Sequence, residues 1–259
     1  MTVNNIARNQ MSESMMRVAS GQRINSAADD AAGSAIVENM TAQINGLDQG
    51  VRNTADMQAL VQTAEGGLEG ISDSLNRIRE LSVQASNGTL SAANREQIQA
   101  EISQLADGIQ SQVSGGTQFN TMNLLDGSAQ GINTASGPDG TGTVFSINDM
   151  SSVAQAVTNF NVTGEFNIAD IDSAINEVSS ERANLGAMVN RFDYTASANT
   201  ISGLNMADAR SRIADADIAQ EMMAVNQERV ITEMQILMQQ QAHEQAEQQS
   251  VLVNSTGIA

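Results

Sequence analysis

The residues with the clearest chemical potential lie in one short run, RINSAADDAAG, at positions 23–33. It places Asp29 and Asp30 side by side, behind Arg23 and among alanines. Two adjacent carboxylates can ligate a divalent cation, or share the work of general acid and base. They can equally supply the negative charge that stabilises the start of a helix. These three interpretations predict different kinds of protein.

Beyond this pair, the sequence offers little for catalysis. It contains no Cys and a single His, His243, which lies in the polar run QQQAHEQAEQQ. One imidazole without a second His or a Cys makes neither a metal site nor a catalytic triad. No Gly-rich phosphate loop, nucleophile elbow or acidic calcium loop is present. The sequence therefore predicts no enzymatic activity, no cofactor and no metal site.

The acidic pair has a structural interpretation instead. Ser26-Ala-Ala-Asp29 fits a capping box, and two acids in a first turn suit the positive end of a helix. On this interpretation one helix ends near Gly21 and a long one begins after the run, with Arg23, Asp29 and Asp30 holding the joint. The run SRIADADIAQEM, at 211–222, repeats the pattern near the other end of the chain. We expect these two joints to set both terminal helices apart.

Charge and composition exclude several partners. The net charge is −18 and the isoelectric point is near 4.1, whereas nucleic acids and anionic membranes both require a cationic surface. No apolar run approaches the roughly 18 residues of a membrane helix. The first residues, MTVNNIARNQ, resemble no secretory signal. We therefore expect neither nucleic-acid nor membrane binding.

Apolar residues recur at helical spacing through most of the chain. One pattern covers 34–85, where the steps of its second half are those of a coiled-coil seam. Others cover 98–113 and 171–192. With a single Pro and 2% aromatic residues, the chain suits helices packed on helices rather than an aromatic-rich globule. The fold prediction is mainly α, a long helical rod of coiled-coil type with paired terminal helices.

Two features interrupt this pattern. Glycines 46, 50, 66, 67 and 70 fall within the first long helix, either tolerated in a gently bent helix or marking close backbone approach of neighbouring helices. Residues 117–170 hold the Pro and most of the Phe residues, and TVFSI and FNVTGEFNI read there as short β-type runs. A small β-hairpin insertion is therefore expected.

The terminal helices carry apolar residues that one copy cannot readily cover. The N-terminal segment has a narrow stripe, and the C-terminal segment is apolar over more than one face, which requires burial on several sides. The pattern predicts that these residues are buried between copies of the chain. The predicted assembly positions are Met11, Met15, Val18, Met222, Val230, Met234 and Leu237.

Six blocks, in this order, resemble bacterial flagellin: SGQRINSAADDAAGSAI, LNRIRELSVQASNGT, IQAEISQL, GGTQFNTMNLLDG, SSERANLGAMVNRF and ARSRIADADIAQEMM. The resemblance implies a self-assembling subunit of the flagellar filament that supports motility. It assigns residues 1–32 and 214–259 to an inner terminal-helix region, 33–127 and 169–213 to the helical rod, and 128–168 to a short variable insertion.

The resemblance also implies partners. The homopolymer would lie outside the cell, after export through a type III apparatus without a cleaved signal peptide. An export chaperone, cap and junction proteins, and the innate Toll-like flagellin receptor of a host would contact the subunit. By matching motif, Arg77, Leu81 and Glu101 fall in the receptor patch, and with Ile78 they are expected to serve subunit packing. A hook–filament junction protein and a soluble coiled-coil binding module remain as alternatives.

Overall fold

A computed structural model describes the backbone of residues 2–255 and the side chains of residues 9–249. Residue 1 and residues 256–259 of the predicted terminal-helix region lie outside this range. The helices are α1 (Thr2–Ser20), α2 (Ala31–Ala85), α3 (Ala92–Ser111), α4 (Ser151–Thr158), α5 (Ile168–Ala214) and α6 (Ile218–Ser255). The strands are β1 (Gln118–Phe119), β2 (Met122–Asn123), β3 (Ile132–Ala135) and β4 (Gly142–Phe145). The prediction of a mainly α fold is confirmed.

The long helix α2 follows its apolar spacing. Leu68, Ile71, Leu75 and Ile78 step by three or four residues and are each fully buried. Because this spacing keeps one stripe on one side of a 3.6-residue helix, the stripe packs inward while Asp, Glu and Gln face solvent. The predicted seam is therefore the buried face of α2.

Four of the five α2 glycines mark close approaches, as one of the two sequence interpretations held. A Cβ on Gly46 would lie 2.7 Å from the Pro138 carbonyl oxygen, and one on Gly50 would overlap the Ser136 carbonyl oxygen. A Cβ on Gly67 or Gly70 would meet the side chain of Thr117 or Gln112, whereas Gly66 faces open space. The approaching segments are the turn between β3 and β4, the single π-helical turn Gln112–Gly116 and the residue after it, rather than the long neighbouring helices that the sequence suggested.

Two short hairpins follow α3. A single π-helical turn, Gln112–Gly116, ends α3 and leads into β1, which pairs antiparallel with β2. Strands β3 and β4 form the second hairpin, with Ile132 opposite Phe145 and Ala135 opposite Gly142. The β assignment of TVFSI is confirmed in part by β4, and the hairpin insertion is confirmed with it.

The β assignment of FNVTGEFNI is wrong. Its backbone groups bind a side chain instead of a strand: Gln99 donates from Nε2 to the Phe160 carbonyl oxygen at 3.1 Å, and its Oε1 accepts from the Val162 amide at 2.8 Å. The ring of Phe160 meets that of Phe166 edge-on at 5.7 Å, which folds the run back on itself. The short helix α4 was not predicted.

The chain divides into two compact units. The terminal unit comprises Met1–Ala42 and Asn205–Ala259, and the central unit comprises Gln43–Leu204. The hydrophobic core lies in the central unit, where residues of α2, α3, α4 and α5 form one buried cluster. Phe145 of β4 joins it by an edge-on contact with Phe192 of α5 at 6.2 Å, so the second hairpin is packed onto the helices.

Candidate assembly surfaces

The joint after α1 begins with a glycine in the left-handed region. Gly21 has a φ of +70°, and its amide donates to the Arg17 carbonyl oxygen at 2.9 Å. A residue of this conformation just past the last turn ends a helix while satisfying one of its free carbonyls, and glycine adopts it without strain. The predicted end of the first helix near Gly21 is confirmed.

The two predicted joints meet through their backbones. Gln22 and Asp215 form an antiparallel bridge. Beside it, the Arg23 amide donates to the Ala214 carbonyl oxygen at 2.6 Å, and the Ala216 amide donates to the Gly21 carbonyl oxygen at 3.0 Å. The Arg23 side chain donates from Nη2 to the Ile213 carbonyl oxygen at 2.7 Å. Arg23 thus binds the last carbonyls of α5, where the negative end of a helix favours a cation.

Both acids of the pair accept hydrogen bonds from backbone amides, but their arrangement differs from the predicted capping box. Asp30 is the residue that caps α2, because its Oδ1 accepts from the Gly33 amide at 2.8 Å. Asp29 closes the turn before the helix instead, accepting at Oδ2 from the Asn25 and Ser26 amides at 3.1 and 2.8 Å. Neither acid lies in the first turn of α2, so that part of the prediction is wrong.

These bonds also set the charge state of Asp29. The Ser26 and then the Asn25 amide hold the pKa of this carboxyl below its usual value, because both donors favour the ionised form. One of the two carboxylate oxygens of Asp29, Oδ2, is thus occupied by amide donors. Within residues 9–249, whose side chains are described, no three His, Asp or Glu side chains gather as a metal site requires.

A charged cleft of about 280 Å³ lies in the terminal unit, between the start of α6 and the joint. Asp217 caps α6 by accepting at Oδ1 from the Ala219 and Gln220 amides at 3.0 and 3.2 Å. Arg17 of α1 pairs with Glu221 of α6 at 3.6 Å. Two arginines and four acidic residues line the cleft, and each of them has an ion pair or hydrogen bond to a helix end or to the joint.

The most buried side chains between α1 and α6 are polar, which the sequence pattern did not predict. Ser14 and Thr232 are buried where the two helices pack, with 6% and 9% of their surface exposed. The Thr232 hydroxyl donates to the Glu228 carbonyl oxygen at 2.8 Å. Glu228 and Gln235 each keep a buried oxygen without a hydrogen-bond partner. The only sequence signal was the place of Ser14, one helical turn from both Met11 and Val18.

The apolar residues of the terminal helices face outward instead. Of the predicted assembly positions, Met11 and Val18 are half-buried, and the other five are exposed: Met15, Met222, Val230, Met234 and Leu237. On α6 alone, Met234 and Leu237 expose 59% and 57% of their surface. A run of large exposed apolar side chains of this kind marks an interaction surface. The pair of helices thus buries polar side chains beside half-buried apolar ones, and most of its large apolar side chains are exposed.

In the central unit, Arg77 and Glu101 form an exposed ion pair. The Arg77 guanidinium binds Glu101 Oε1 from Nε at 2.9 Å and from Nη2 at 2.7 Å, and Glu80 Oε2 from Nη1 at 3.1 Å. The Glu101 and Glu80 carboxylates raise the Arg77 pKa. Ile78 and Leu81, predicted with them, are buried in the core. Only the two charged residues can touch another molecule directly.

Other polar contacts of the central unit had no signal in the sequence, because their members are far apart along the chain. Arg79 of α2 binds Asp172 of α5 at 2.6 Å. Glu181 of α5 is only 2% exposed and accepts from the Asn148 amide at 3.1 Å and from Asn148 Nδ2 at 2.6 Å. Both contacts hold neighbouring segments against α5.

Comparison with known proteins identifies the family. The model of the bacterial flagellin N-terminal helical region matches residues 1–130, and that of the C-terminal helical region matches residues 168–253. A flagellin of Halalkalibacterium halodurans is 38% identical over 92% of this chain and 89% of its own length. The flagellar filament 30.7 kDa core protein of Treponema maltophilum is 35% identical over 93% and 92%.

Among solved structures, the crystal structure of Bacillus cereus flagellin is 33% identical to this chain. It matches with a TM-score of 0.52 over 61% of this chain and 94% of its own. No helix within residues 2–255 is both long and apolar enough to cross a membrane. The two family matches together cover most of the sequence, including both terminal helices and both joints. The chain belongs to the bacterial flagellin family.

Proposed function

We propose that this chain is a structural subunit of the flagellar filament, a homopolymer outside the cell that serves motility rather than catalysis. Membership of the flagellin family supports this, as does the name of the Treponema maltophilum relative, a flagellar filament core protein. The observation that carries the proposal is the outward apolar surface of α6, which one copy leaves exposed.

The mechanism of assembly is burial of this surface between copies. Each large apolar side chain that passes from water into an interface contributes about 1.5–3 kcal/mol. A net charge of −18 opposes the approach of copies, and salt screens such repulsion between exposed charges. Assembly should therefore strengthen as salt rises, although the apolar contacts provide its driving force.

The regions of the chain then have separate roles. We propose that residues 1–32 and 214–259 form the inner part of the filament, and that 33–127 and 169–213 surround it. Residues 128–168 would face outward. Export through a type III apparatus without a cleaved signal peptide, with chaperone, cap and junction proteins as partners, completes the proposal. The Arg23, Asp29 and Asp30 joint would keep the terminal helices in register during assembly.

The assembly surface can be tested with a charge placed in its middle. Met234→Glu introduces a carboxylate at an exposed apolar position while keeping a good helix former. Gln240→Glu adds the same charge to the same helix at an exposed polar position. Purified protein is incubated with ammonium sulfate, and polymer is measured by sedimentation and electron microscopy. We expect wild type and Gln240→Glu to form filaments and Met234→Glu to remain monomeric with unchanged helicity.

Equal polymer yield from both variants would show that the α6 surface is not an interface. If the wild type formed only discrete small oligomers at every salt concentration, the filament proposal itself would fail. The two alternatives would then apply. A coiled-coil binding module would give a fixed dimer or small bundle, and a junction protein would add to existing filaments without forming its own.

We further propose that Arg77 and Glu101 serve subunit packing and, in the free monomer, recognition by the Toll-like receptor for flagellin. The exposed ion pair supports this, because its charges are half-exposed and available to a partner. Ile78 and Leu81 would contribute by fixing the helix from within. Arg77→Ala should weaken receptor signalling by the monomer in a reporter assay, whereas Arg191→Ala, an exposed arginine of α5, should not. Equal potency of both variants would reject the receptor role.

A further inference from the structure

We propose that Asn87 is a site of spontaneous covalent modification. Its side-chain amide cyclises onto the backbone nitrogen of Gly88, and the product hydrolyses to aspartate and isoaspartate. The residue lies in the link between α2 and α3, where Asn87, Gly88 and Thr89 are all exposed. Three features of this link favour the reaction: a free nucleophile, a polarised carbonyl and access to water.

The nucleophile is the amide nitrogen of Gly88. The neighbouring amides are engaged, since Asn87 donates to the Gln84 carbonyl oxygen at 3.1 Å and Leu90 to the Asn87 carbonyl oxygen at 3.2 Å. Within the described part of the chain, no acceptor takes the Gly88 N–H. No atom lies within 4 Å of the place where a Gly88 Cβ would stand. The nitrogen is therefore unhindered and uncommitted.

The electrophile is the Asn87 side-chain carbonyl. Its Oδ1 accepts from the Thr89 amide at 3.1 Å and from the Thr89 hydroxyl at 2.9 Å. These bonds fold the side chain toward the residues that follow it. When nitrogen attacks the carbonyl carbon, negative charge develops on this oxygen, and two donors already in place stabilise it. The turn thus stabilises the charge of the intermediate and also fixes the direction of the Asn87 side chain.

The reaction is balanced without any co-reactant except water. Base removes the Gly88 amide proton, the nitrogen forms a bond to Asn87 Cγ, and the bond from Cγ to Nδ2 breaks. Nδ2 takes up a proton and leaves as ammonia, which leaves a cyclic imide. Water then opens the ring at either carbonyl, giving aspartate or isoaspartate. Because a base takes the first proton, the rate rises with pH.

Asn161 provides a natural comparison. Its Oδ1 accepts from the Thr163 amide at 2.9 Å and from the Thr163 hydroxyl at 2.7 Å, so its carbonyl is polarised in the same way. The following residue, however, is the buried, β-branched Val162, whose amide donates to Gln99 Oε1 at 2.8 Å. With its nucleophile committed and crowded, Asn161 should be inert.

Asn45 provides the opposite comparison. It is exposed and also precedes a glycine, Gly46, but both lie inside α2. In a helix interior the amide of each residue is bound to a carbonyl one turn back. Gly46 also packs closely against Pro138. The ring can form there only after local unfolding, which is rare in the middle of a long packed helix.

The modification changes the link in two ways. Either product replaces a neutral amide by a carboxylate, which makes a chain of net charge −18 more negative. The isoaspartate product also lengthens the main chain between α2 and α3. The same link contributes Leu90 to a cleft of about 410 Å³, which also contains Asn94 and the Arg77–Glu101 pair.

The experiment follows all three asparagines in one sample of the full chain. Folded protein is incubated in mildly alkaline buffer, and peptide mapping by mass spectrometry measures conversion at positions 45, 87 and 161. We expect Asn87 to convert about tenfold faster than Asn45, or more, because local unfolding protects the latter. In concentrated urea the two Asn-Gly pairs should convert within about threefold of each other, since neither is then held in a helix. Asn161 should stay intact.

Two variants isolate the chemistry. Gly88→Ala meets no neighbouring atom, so it should fold normally while its methyl group hinders attack and slows conversion. Thr89→Val removes one donor to Oδ1 and keeps the backbone amide. It should slow conversion by about two- to tenfold, the effect of losing one hydrogen bond. The proposal is overturned if folded Asn87 persists as long as Asn45, or if neither variant slows it.

Discussion

The central and terminal units of this flagellin distribute apolar residues in opposite ways. In the central unit, the α2 stripe through Leu68, Ile71 and Leu75 is fully buried. In the terminal unit, the polar Ser14 and Thr232 are buried, while Met234 exposes 59% of its surface. One chain therefore contains a unit with a buried apolar core in a single copy and a unit in which most large apolar side chains are exposed.

The difference separates folding from assembly. A subunit that buried all its apolar surface alone would have little reason to associate, whereas one with no core of its own would not fold before assembling. Here the core belongs to residues 43–204, and the outward apolar surface belongs to helices whose most buried side chains are polar. Stability of the subunit and stability of the polymer should thus respond to different mutations.

Truncation of one side chain in each unit tests this most strongly. Leu75→Ala leaves a cavity in the core and should lower the free energy of unfolding of the central unit by about 2–5 kcal/mol. Met234→Ala removes an exposed side chain and should change the stability of the free subunit by less than about 0.5 kcal/mol. Urea unfolding, with hydrogen exchange to locate the change, measures both. A similar loss from both variants would contradict the contrast.

Glycine replacements in α2 test how closely other segments of the central unit pack against this helix. Gly50→Ala places a methyl group against the Ser136 carbonyl oxygen and should destabilise by about 1–3 kcal/mol, the usual cost of overpacking. Gly66→Ala meets nothing and should stabilise by up to about 1 kcal/mol, because alanine is the better helix former. Thermal unfolding distinguishes the destabilising substitution from the stabilising one. If both substitutions stabilised, the close approach of the second hairpin to α2 would be wrong.

Much of this architecture was readable from the sequence. The α2 stripe, the end of α1 and the hairpin insertion follow from local patterns, because each depends on residues a few positions apart. The approach of loops to the glycines could be suspected but not assigned, since Pro138 and Ser136 are distant along the chain. FNVTGEFNI misled because its alternation is typical of a strand, whereas Gln99 of α3 takes up its backbone groups.

The assembly surface was predicted only in part. The broad apolar character of α6 indicated burial between copies, but it could not show which face α1 covers. That choice depends on Ser14 and Thr232, which no hydrophobic pattern detects. For the joint, the residue types gave the correct elements and the wrong capping residue. The pattern favoured Ser26 as the cap, and only the turn geometry decides that Asp30 takes this place.

The cap offers a third, smaller test. Asp30→Ala removes the acceptor for the Gly33 amide and should destabilise the first turn of α2 by about 0.5–2 kcal/mol. Asp30→Asn keeps an acceptor of the same shape and should change the stability of that turn far less. Hydrogen exchange at Gly33 and Ser34 reports the effect. A loss of protection in Asp30→Ala alone would show that the start of α2, in the terminal unit, depends on this polar contact. Equal protection in both variants would indicate that the helix start is held by other means.

The smallest expected effect is a pH dependence of stability, which both units share. Asp29 in the terminal unit and Asp126 in the central unit each have a lowered pKa. The Ser26 amide is the first cause for Asp29, and the Asn123 side chain, at 2.7 Å, is the first cause for Asp126. Because the folded pKa is depressed, each carboxylate stabilises the fold above the unfolded pKa, about 3.9, and loses this contribution as the pH falls through the folded value.

Nuclear magnetic resonance of the Ser26 and Ser128 amides can follow this loss, since each donates to one of the two carboxylates. Both signals should be constant above about pH 5 and shift only below about pH 4. Asp29→Asn should abolish the shift at Ser26 and leave that at Ser128 unchanged. The two units would then respond to pH independently, because the amide signal in each turn follows the carboxylate of that turn. A shift at Ser26 that survives in Asp29→Asn would assign it to another group.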